Sequence, residues 1–321
     1  MAFDLIGDIH GQADKLEALL ARLGYREVHG LWRHPTRTVI FLGDFIDRGP
    51  HQVRTVAITR RMVEGGTALA VMGNHELNAI AWATPDPRGN GDFLRPHFHP
   101  LRGLKNRRQH ARFLDELEPR PLLYRELIAW FMTLPLWLEL PGLRAVHACW
   151  HPPFMAWLEP LLTAQRQLRP ELLAAATTEP ADERAKDDGN PSVFKAVEAL
   201  TKGLEIPLPL RHSFADKDHV QRYRVRVRWW DPTATDYAST AMVDEVYREH
   251  LPQDPIPDHA RLATPTDKPI FFGHYWLSGT PRVLAPHAAC LDYSVGKEGP
   301  LVAYRWDGET RLTDAGFVTV P

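Results

Sequence analysis

The chain has 321 residues, with 38 basic against 40 acidic side chains and a formal charge of −2. That balance gives no global basic surface for neutralising nucleic-acid phosphates, while 44% hydrophobic and 24% charged residues suit a globular protein with a sizeable core. No run approaches the roughly 18 apolar residues of a membrane span, the N-terminus has no basic-then-apolar leader pattern, and Cys149 and Cys290 alone make no disulfide framework. A cytoplasmic protein without membrane or nucleic-acid partners is expected.

In chain order, residues 3–6 read as a short buried strand running into Gly7-Asp8-Ile9-His10-Gly11. Leu16, Leu19, Leu20 and Leu23 then recur at helical spacing, with Gly24 as a stop. A β-branched and aromatic strand at 38–42 enters Gly43-Asp44-Phe45-Ile46-Asp47-Arg48-Gly49. A helix over 53–63, closed by Gly65-Gly66, leads to a strand at 67–72 and then Gly73-Asn74-His75-Glu76. Strand, motif and helix in repeated succession imply βαβ units, whose ligands gather outside the carboxyl ends of the strands. All three motifs fall there.

Beyond Thr84 the chain turns Pro- and Arg-rich, with one helix expected around 109–117. Its basic cluster Arg102, Lys105, Arg107, Arg108 and Arg112 reads as a solvated helix face. Strands are expected at 136–140 and 143–147 about a Pro141-Gly142 turn. A mostly helical stretch at about 152–222 reads as an insertion capping the site. Strand-like segments return at 222–227, 269–272, 288–292 and 301–306. Trp130, Phe131, Trp137 and Trp157 are assigned to the core. Trp150 is left between packing its loop and stacking on a substrate ring.

Asp8 and His10, two apart on an extended segment, point the same way and suit one ion. Asp44 offers a carboxylate able to bridge two ions, and Asn74 an amide oxygen. His147 and His274, each ending an apolar run, fit as further ligands. Oxygen and imidazole without thiolate suit Mn, Fe, Zn or Co rather than a Cys-based zinc site. Two ions sharing Asp44 would sit roughly 3.5–4 Å apart.

With GDxHG, GDxxDRG and GNHE in this order and two separated histidines downstream, the chain resembles the PPP-type, calcineurin-like metallophosphoesterases. That family includes serine/threonine protein phosphatases and bacterial diadenosine-tetraphosphate hydrolases. The resemblance implies an α/β fold, a β-sandwich flanked by helices (αββα), as a single domain over 1–321 with a helical insertion. It implies two divalent ions, with Mn as the assay metal: Asp8, His10 and Asp44 on the first, Asp44, Asn74, His147 and His274 on the second. His75, oriented by Asp47, would protonate the leaving oxygen after in-line attack by a hydroxide bridging the ions. Arg48, Asn74 and Tyr293 would bind the phosphate. Trp229-Trp230-Asp231-Pro232 and Cys290-Leu291-Asp292-Tyr293 resemble further family segments. Two departures stand out. His147 precedes Ala148-Cys149-Trp150 in place of Gly-Gly, and the second phosphate arginine has only Arg228, Arg248 and Arg261 as candidates. The expected substrate is a phosphorylated protein or a nucleotide. A phosphoprotein phosphatase is favoured, with a symmetrical dinucleoside-tetraphosphate hydrolase or an inactive scaffold as alternatives.

Overall fold

The computed structural model describes residues 2–215, 220–243 and 245–321. Its first half runs β1 (Ala2–Ile6), α1 (Ala13–Arg22), β2 (Arg37–Phe41), α2 (Gln52–Glu64), β3 (Ala68–Ala70) and α3 (Asn74–Ala83). Helices α4 (Gly103–Gln109), α5 (Ala111–Leu117) and α6 (Pro121–Phe131) follow, then β4 (Trp137–Glu139) and β5 (Arg144–Val146). The last third contributes β6 (Ile270–Phe272), β7 (Ala288–Cys290), β8 (Leu301–Trp306) and β9 (Phe317–Val320).

The strands form two mixed sheets, ordered β9-β8-β1-β2-β3 and β7-β6-β5-β4. β1, β2 and β3 are parallel, as their helical crossovers require, and β8 runs antiparallel on the other side of β1. Side-chain alternation explains how the sheets stack. Phe3 and Leu5 of β1, Ile40 of β2 and Val302, Tyr304 and Trp306 of β8 share one apolar core with Ala145, Phe271 and Ala289 of the second sheet. Ile6, Val39 and Phe41 point the opposite way, into a second core with Leu16, Leu20, Val56 and Met62 of the covering helices. The result is the αββα sandwich.

Three elements depart from expectation. The helix expected around 109–117 is α5, and α4, which precedes it and ends at His110, was not foreseen. β9 pairs with β8 and was not foreseen, its alternation being too short to stand out. The 152–222 stretch is not mainly helix. It holds four short helices, Pro152–Leu158, Leu173–Thr177, Glu183–Asp187 and Val193–Lys202, and a small sheet pairing Glu205–Pro207 with Arg224–Arg226. Residues 216–219 of the expected insertion lie outside the described residues. Phe154, Leu158 and Leu200 of this stretch share the core of Val146 and Phe272, so its helices pack onto the second sheet. Trp130, Phe131 and Trp137 are core as expected, but Trp157 is 39% exposed.

One buried charge ties the first sheet together. Asp4, fully buried in β1, accepts from Arg37 Nε of β2 at 2.9 Å and from Arg305 Nε of β8 at 2.9 Å. Removing one partner of a buried pair leaves the others uncompensated. Asp4→Ala is therefore expected to lower stability by about 3 kcal/mol, read as a lower urea midpoint at unchanged slope. An unmoved midpoint would assign Asp4 no part in holding the three strands.

Candidate metal centre

Strands end and motifs begin on one edge of the sandwich, where the chain turns sharply. His10, Asp44, Asp47, Arg48 and His274 all lie at positive φ, between 50° and 73°. For residues with a Cβ this costs energy and persists where the surroundings dictate it, most often at functional sites. Hydrogen bonds supply the constraint. The Asp44 carbonyl accepts from Ile9 N at 3.0 Å and His10 N at 2.9 Å, joining the first motif to the second. Glu76, fully buried, accepts from the amides of Asp44, Phe45 and Gly73 at 2.8, 2.8 and 3.0 Å, joining the second to the third. Two motif glycines clear space for carboxylates. A Cβ on Gly73 would stand 2.2 Å from Asp44 Oδ1, and one on Gly273 2.0 Å from Asp8 Oδ1.

The side chains so placed form two groups that share Asp44. His10, Asp44 and His75 bring donor atoms within 4.8 Å of one another, and so do Asp44, His147 and His274. His10 Nε2 lies 3.8 Å from Asp44 Oδ2 and 4.0 Å from Asp8 Oδ2, while His147 Nε2 lies 3.4 Å from Asp44 Oδ1. Asn74 Oδ1 faces His147 Nε2 at 3.1 Å and His274 Nδ1 at 2.8 Å. The six residues expected as ligands are thus all together and all buried.

Backbone carbonyls set the histidine tautomers. His10 Nδ1 donates to Ile46 O at 2.9 Å and His147 Nδ1 to Leu42 O at 2.6 Å, so each Nε2 presents a lone pair inward. Facing an amide oxygen and a carboxylate, those lone pairs call for a cation. His10 Nε2 and His274 Nε2 are also buried without a hydrogen-bond partner. Burial alone would raise the Asp44 carboxyl, but His147 and His75 hold it well below its usual range. Burial would lower His147, yet Asp44 drives it up to about 10, so without a metal a proton takes the cation's place. Burial and then Asp292 raise Asp8. Asp292 is a third buried carboxylate here, tied by Trp276 N at 2.7 Å and Ser294 N at 2.9 Å. This donor set fits hard or borderline divalent ions.

Beside the first group stands the expected acid pair. His75 Nδ1 is 2.5 Å from Asp47 Oδ2, and His75 Nε2 is 3.9 Å from Asp44 Oδ2. Burial opposes charge on this imidazole, but Asp44 and Asp47 raise its pKa above the ordinary value. Burial and then His75 lower His10 to about 4, so the two rings are shifted in opposite directions. Arg48 is exposed at the rim, its guanidinium 4.1 Å from the Trp276 ring centroid.

One expectation fails here, and the open choice at Trp150 closes. Tyr293 does not join the site: it is buried between the sheets, its hydroxyl accepting from Arg282 N at 3.0 Å. Trp150 is buried at 4% exposure under Arg144, packing its loop. Trp229 and Trp230 are core residues. Arg228, Arg248 and Arg261 pair with Asp231, Glu245 and Asp258 on their own segments. Arg226 adds to burial in lowering His274, as Arg48 does for His10 and His75. Sequence reasoning also missed His110, 2.8 Å from Asp47 Oδ2, because no motif marks it.

Gly273→Ala is expected to displace Asp8 and lower bound metal toward one ion per chain, with the circular dichroism of the native fold. Asp44→Asn, which weakens both groups, should lower it further. Metal analysis after dialysis reads both variants, and full wild-type occupancy in either would contradict the shared-carboxylate arrangement.

Comparison with known proteins agrees with this geometry. Over residues 1–159 the chain matches the calcineurin-like phosphoesterase family model. It is 42% identical over 149 residues to an asymmetrical bis(5'-nucleosyl)-tetraphosphatase PrpE of Geobacillus sp. (strain WCH70), covering 46% of this chain and 56% of that protein. A protein of the same name from Halalkalibacterium halodurans is 45% identical over 76 residues, 23% of this chain and 31% of that one. The chain thus spans about a third to about half the length of these relatives. A serine/threonine phosphatase structure from Saccharomyces cerevisiae, with similarity to human PP5, aligns over all of this chain and 79% of its own at 13% identity and a TM-score of 0.47. The family match contains all three N-terminal motifs and His147, so residues 1–159 are a calcineurin-like phosphoesterase domain.

Proposed function

We propose that the protein is a metal-dependent hydrolase of phosphoric esters and anhydrides acting on a dinucleoside polyphosphate. The observation that carries the reaction class is the pair of donor groups sharing Asp44, with the His75–Asp47 pair beside them. Asp8, His10 and Asp44 would hold one divalent ion, and Asp44, Asn74, His147 and His274 a second. Such ions supply Lewis-acid charge and lower the pKa of a water. The chain's own residues do the rest. Arg48, steadied against Trp276, grips phosphate oxygens from the rim with its planar fork. Asn74 fixes the floor of the site between His147 and His274. Asp47 holds His75 by Nδ1 so that Nε2 faces inward, and that nitrogen gives its proton to the departing oxygen. The packing of residues 152–215 onto the second sheet supports one domain in place of a separate cap.

The substrate choice departs from the sequence expectation. A phosphoprotein phosphatase drew on Tyr293 and on Trp229-Trp230-Asp231-Pro232, and these aromatic rings are buried in the cores. The nucleotide reading draws on the tetraphosphatase relatives, 45% identical over 76 residues and 42% identical over 149. It also draws on a cationic, aromatic rim: Lys297 Nζ lies 5.5 Å from the centroid of the Trp276 ring that Arg48 covers, placing a second cation beside Arg48. A chain of phosphates would use both, a monoester only one.

Two measurements test this. With Mn²⁺ present, diadenosine tetraphosphate should turn over faster than a phosphoserine peptide, and chromatography should resolve ATP with AMP rather than two ADP. A faster phosphopeptide reaction would reverse the substrate choice, and ADP alone would make cleavage symmetrical. His75→Ala should retain metal and lose about 10²–10⁴-fold in kcat on an alkyl phosphate, the usual worth of general-acid catalysis. It should lose far less on p-nitrophenyl phosphate, whose leaving group needs no proton. Equal losses on both esters would remove His75 from the acid role.

A further inference from the structure

Asp47 serves two imidazoles, not one. Its Oδ2 lies 2.5 Å from His75 Nδ1 and 2.8 Å from His110 Nδ1, the second approaching off the line of a good hydrogen bond. Asp47, His75 and His110 are 0%, 4% and 1% exposed, so the three groups sit away from water. Its backbone amide is held separately, by Gln52 Oε1 at 2.6 Å, leaving the carboxylate to be aimed by its ring partners.

The chain around His110 is built to keep that ring in place. Gln109-His110-Ala111 holds neither Pro nor Gly, yet the helix breaks there, His110 taking φ −96° and ψ 8° between α4 and α5. Such a break in a sequence free of helix breakers is imposed by tertiary contacts. Arg95 supplies a strap. Its Nη2 donates to Gln109 Oε1 at 2.5 Å, next to His110, and its Nη1 to Asn78 Oδ1 at 3.0 Å, one turn beyond His75 in α3. One half-buried arginine thus links α4, which ends at His110, to α3, which carries His75. His110 also packs its edge toward His75, with ring centroids 6.4 Å apart, and against Trp82 at 6.3 Å.

We propose that His110 is a positioning residue, completing a His75–Asp47–His110 chain that aims the leaving-group acid. The inference rests on the acid role given to His75 above. His110 touches neither substrate nor metal. It occupies the other side of the oxygen that holds His75, so the carboxylate cannot swing away from the His75 ring as that ring loses its proton. Aim of this kind matters most when the leaving oxygen is a poor one and its protonation limits the rate.

The test is His110→Phe, which keeps the ring volume and removes both nitrogens, beside His110→Asn, whose amide can stand in for Nδ1–H. His110→Leu carries the same comparison should the Phe variant fail to fold. In the Phe variant kcat should fall about tenfold on an alkyl phosphate, a fraction of the full general-acid effect. KM, bound metal and kcat on p-nitrophenyl phosphate should stay within about twofold, and the Asn variant should recover most of the loss. In a His75→Ala background the same change should add nothing. Equal losses on both esters, or no loss on either, would overturn the proposal. A second readout does not need turnover. In the full chain with added Zn²⁺, the downfield proton resonance of His75 Nδ1–H should move in the Phe variant and return in the Asn variant. An unmoved resonance would overturn the proposal, whereas a wild type that turns over no substrate would count against the proposed function alone.

Discussion

The arrangement depends on one buried carboxylate, Asp44, and on how its residue is held. Its carbonyl takes the amides of Ile9 and His10, its own amide goes to Glu76, and its Oδ1 receives His75 N at 3.0 Å. One residue therefore ties together the loops after β1, β2 and β3. Its φ of 52° is part of the same device, because the left-handed turn lifts the carboxylate off the strand axis toward both histidine groups. Isolated, that conformation is unfavourable for a residue with a Cβ, and the hydrogen bonds around it offset the strain.

The second layer is electrostatic. Asp8, Asp44 and Asp292 lie buried near one another, and imidazoles supply the only cationic partners the ligand residues offer one another. Buried carboxylates on this scale are costly unless compensated by protons, by hydrogen bonds or by cations. The site therefore has two ways to be neutral. In one, protons sit on His147 and on a carboxyl. In the other, divalent ions displace them, which makes metal affinity depend on pH by the release of those protons.

Much of the fold was legible because its signals are local. Short apolar and β-branched runs marked the strands that became β1–β8, and leucine spacing marked α1. The clustering of the six expected ligands was legible because a strand end, a glycine and a polar side chain recur together. The rest needed contacts that no window of sequence contains. His110 reaches Asp47 only because Arg95 draws α4 onto α3, and nothing in Gln109-His110-Ala111 announces it. Tyr293 was misread for the opposite reason. It follows a ligand-like segment, but period-two alternation turns its ring into the inter-sheet core with Leu291 while Asp292 faces the centre. Arg228, Arg248 and Arg261 had no motif to mark them, and each pairs with an acid three residues away on its own segment.

The pairing of β1 bears on how the molecule is made. Phe3 lies opposite Trp306 and Leu5 opposite Tyr304, so β1 waits for a strand some three hundred residues later. Until then one edge of β1 offers unpaired amides and carbonyls, and the apolar face of Phe3 and Leu5 has no second sheet to cover it. The same order delays the centre, because His274 is synthesised some two hundred residues after Asn74, its partner across the site. A nascent chain can build the helical layer over β1–β3 early, but metal cannot close the site until most of the chain exists. Folding dominated by such distant pairings is slow and exposed to aggregation. Truncation near the C-terminus, far in sequence from every motif, should therefore harm solubility before it harms any ligand.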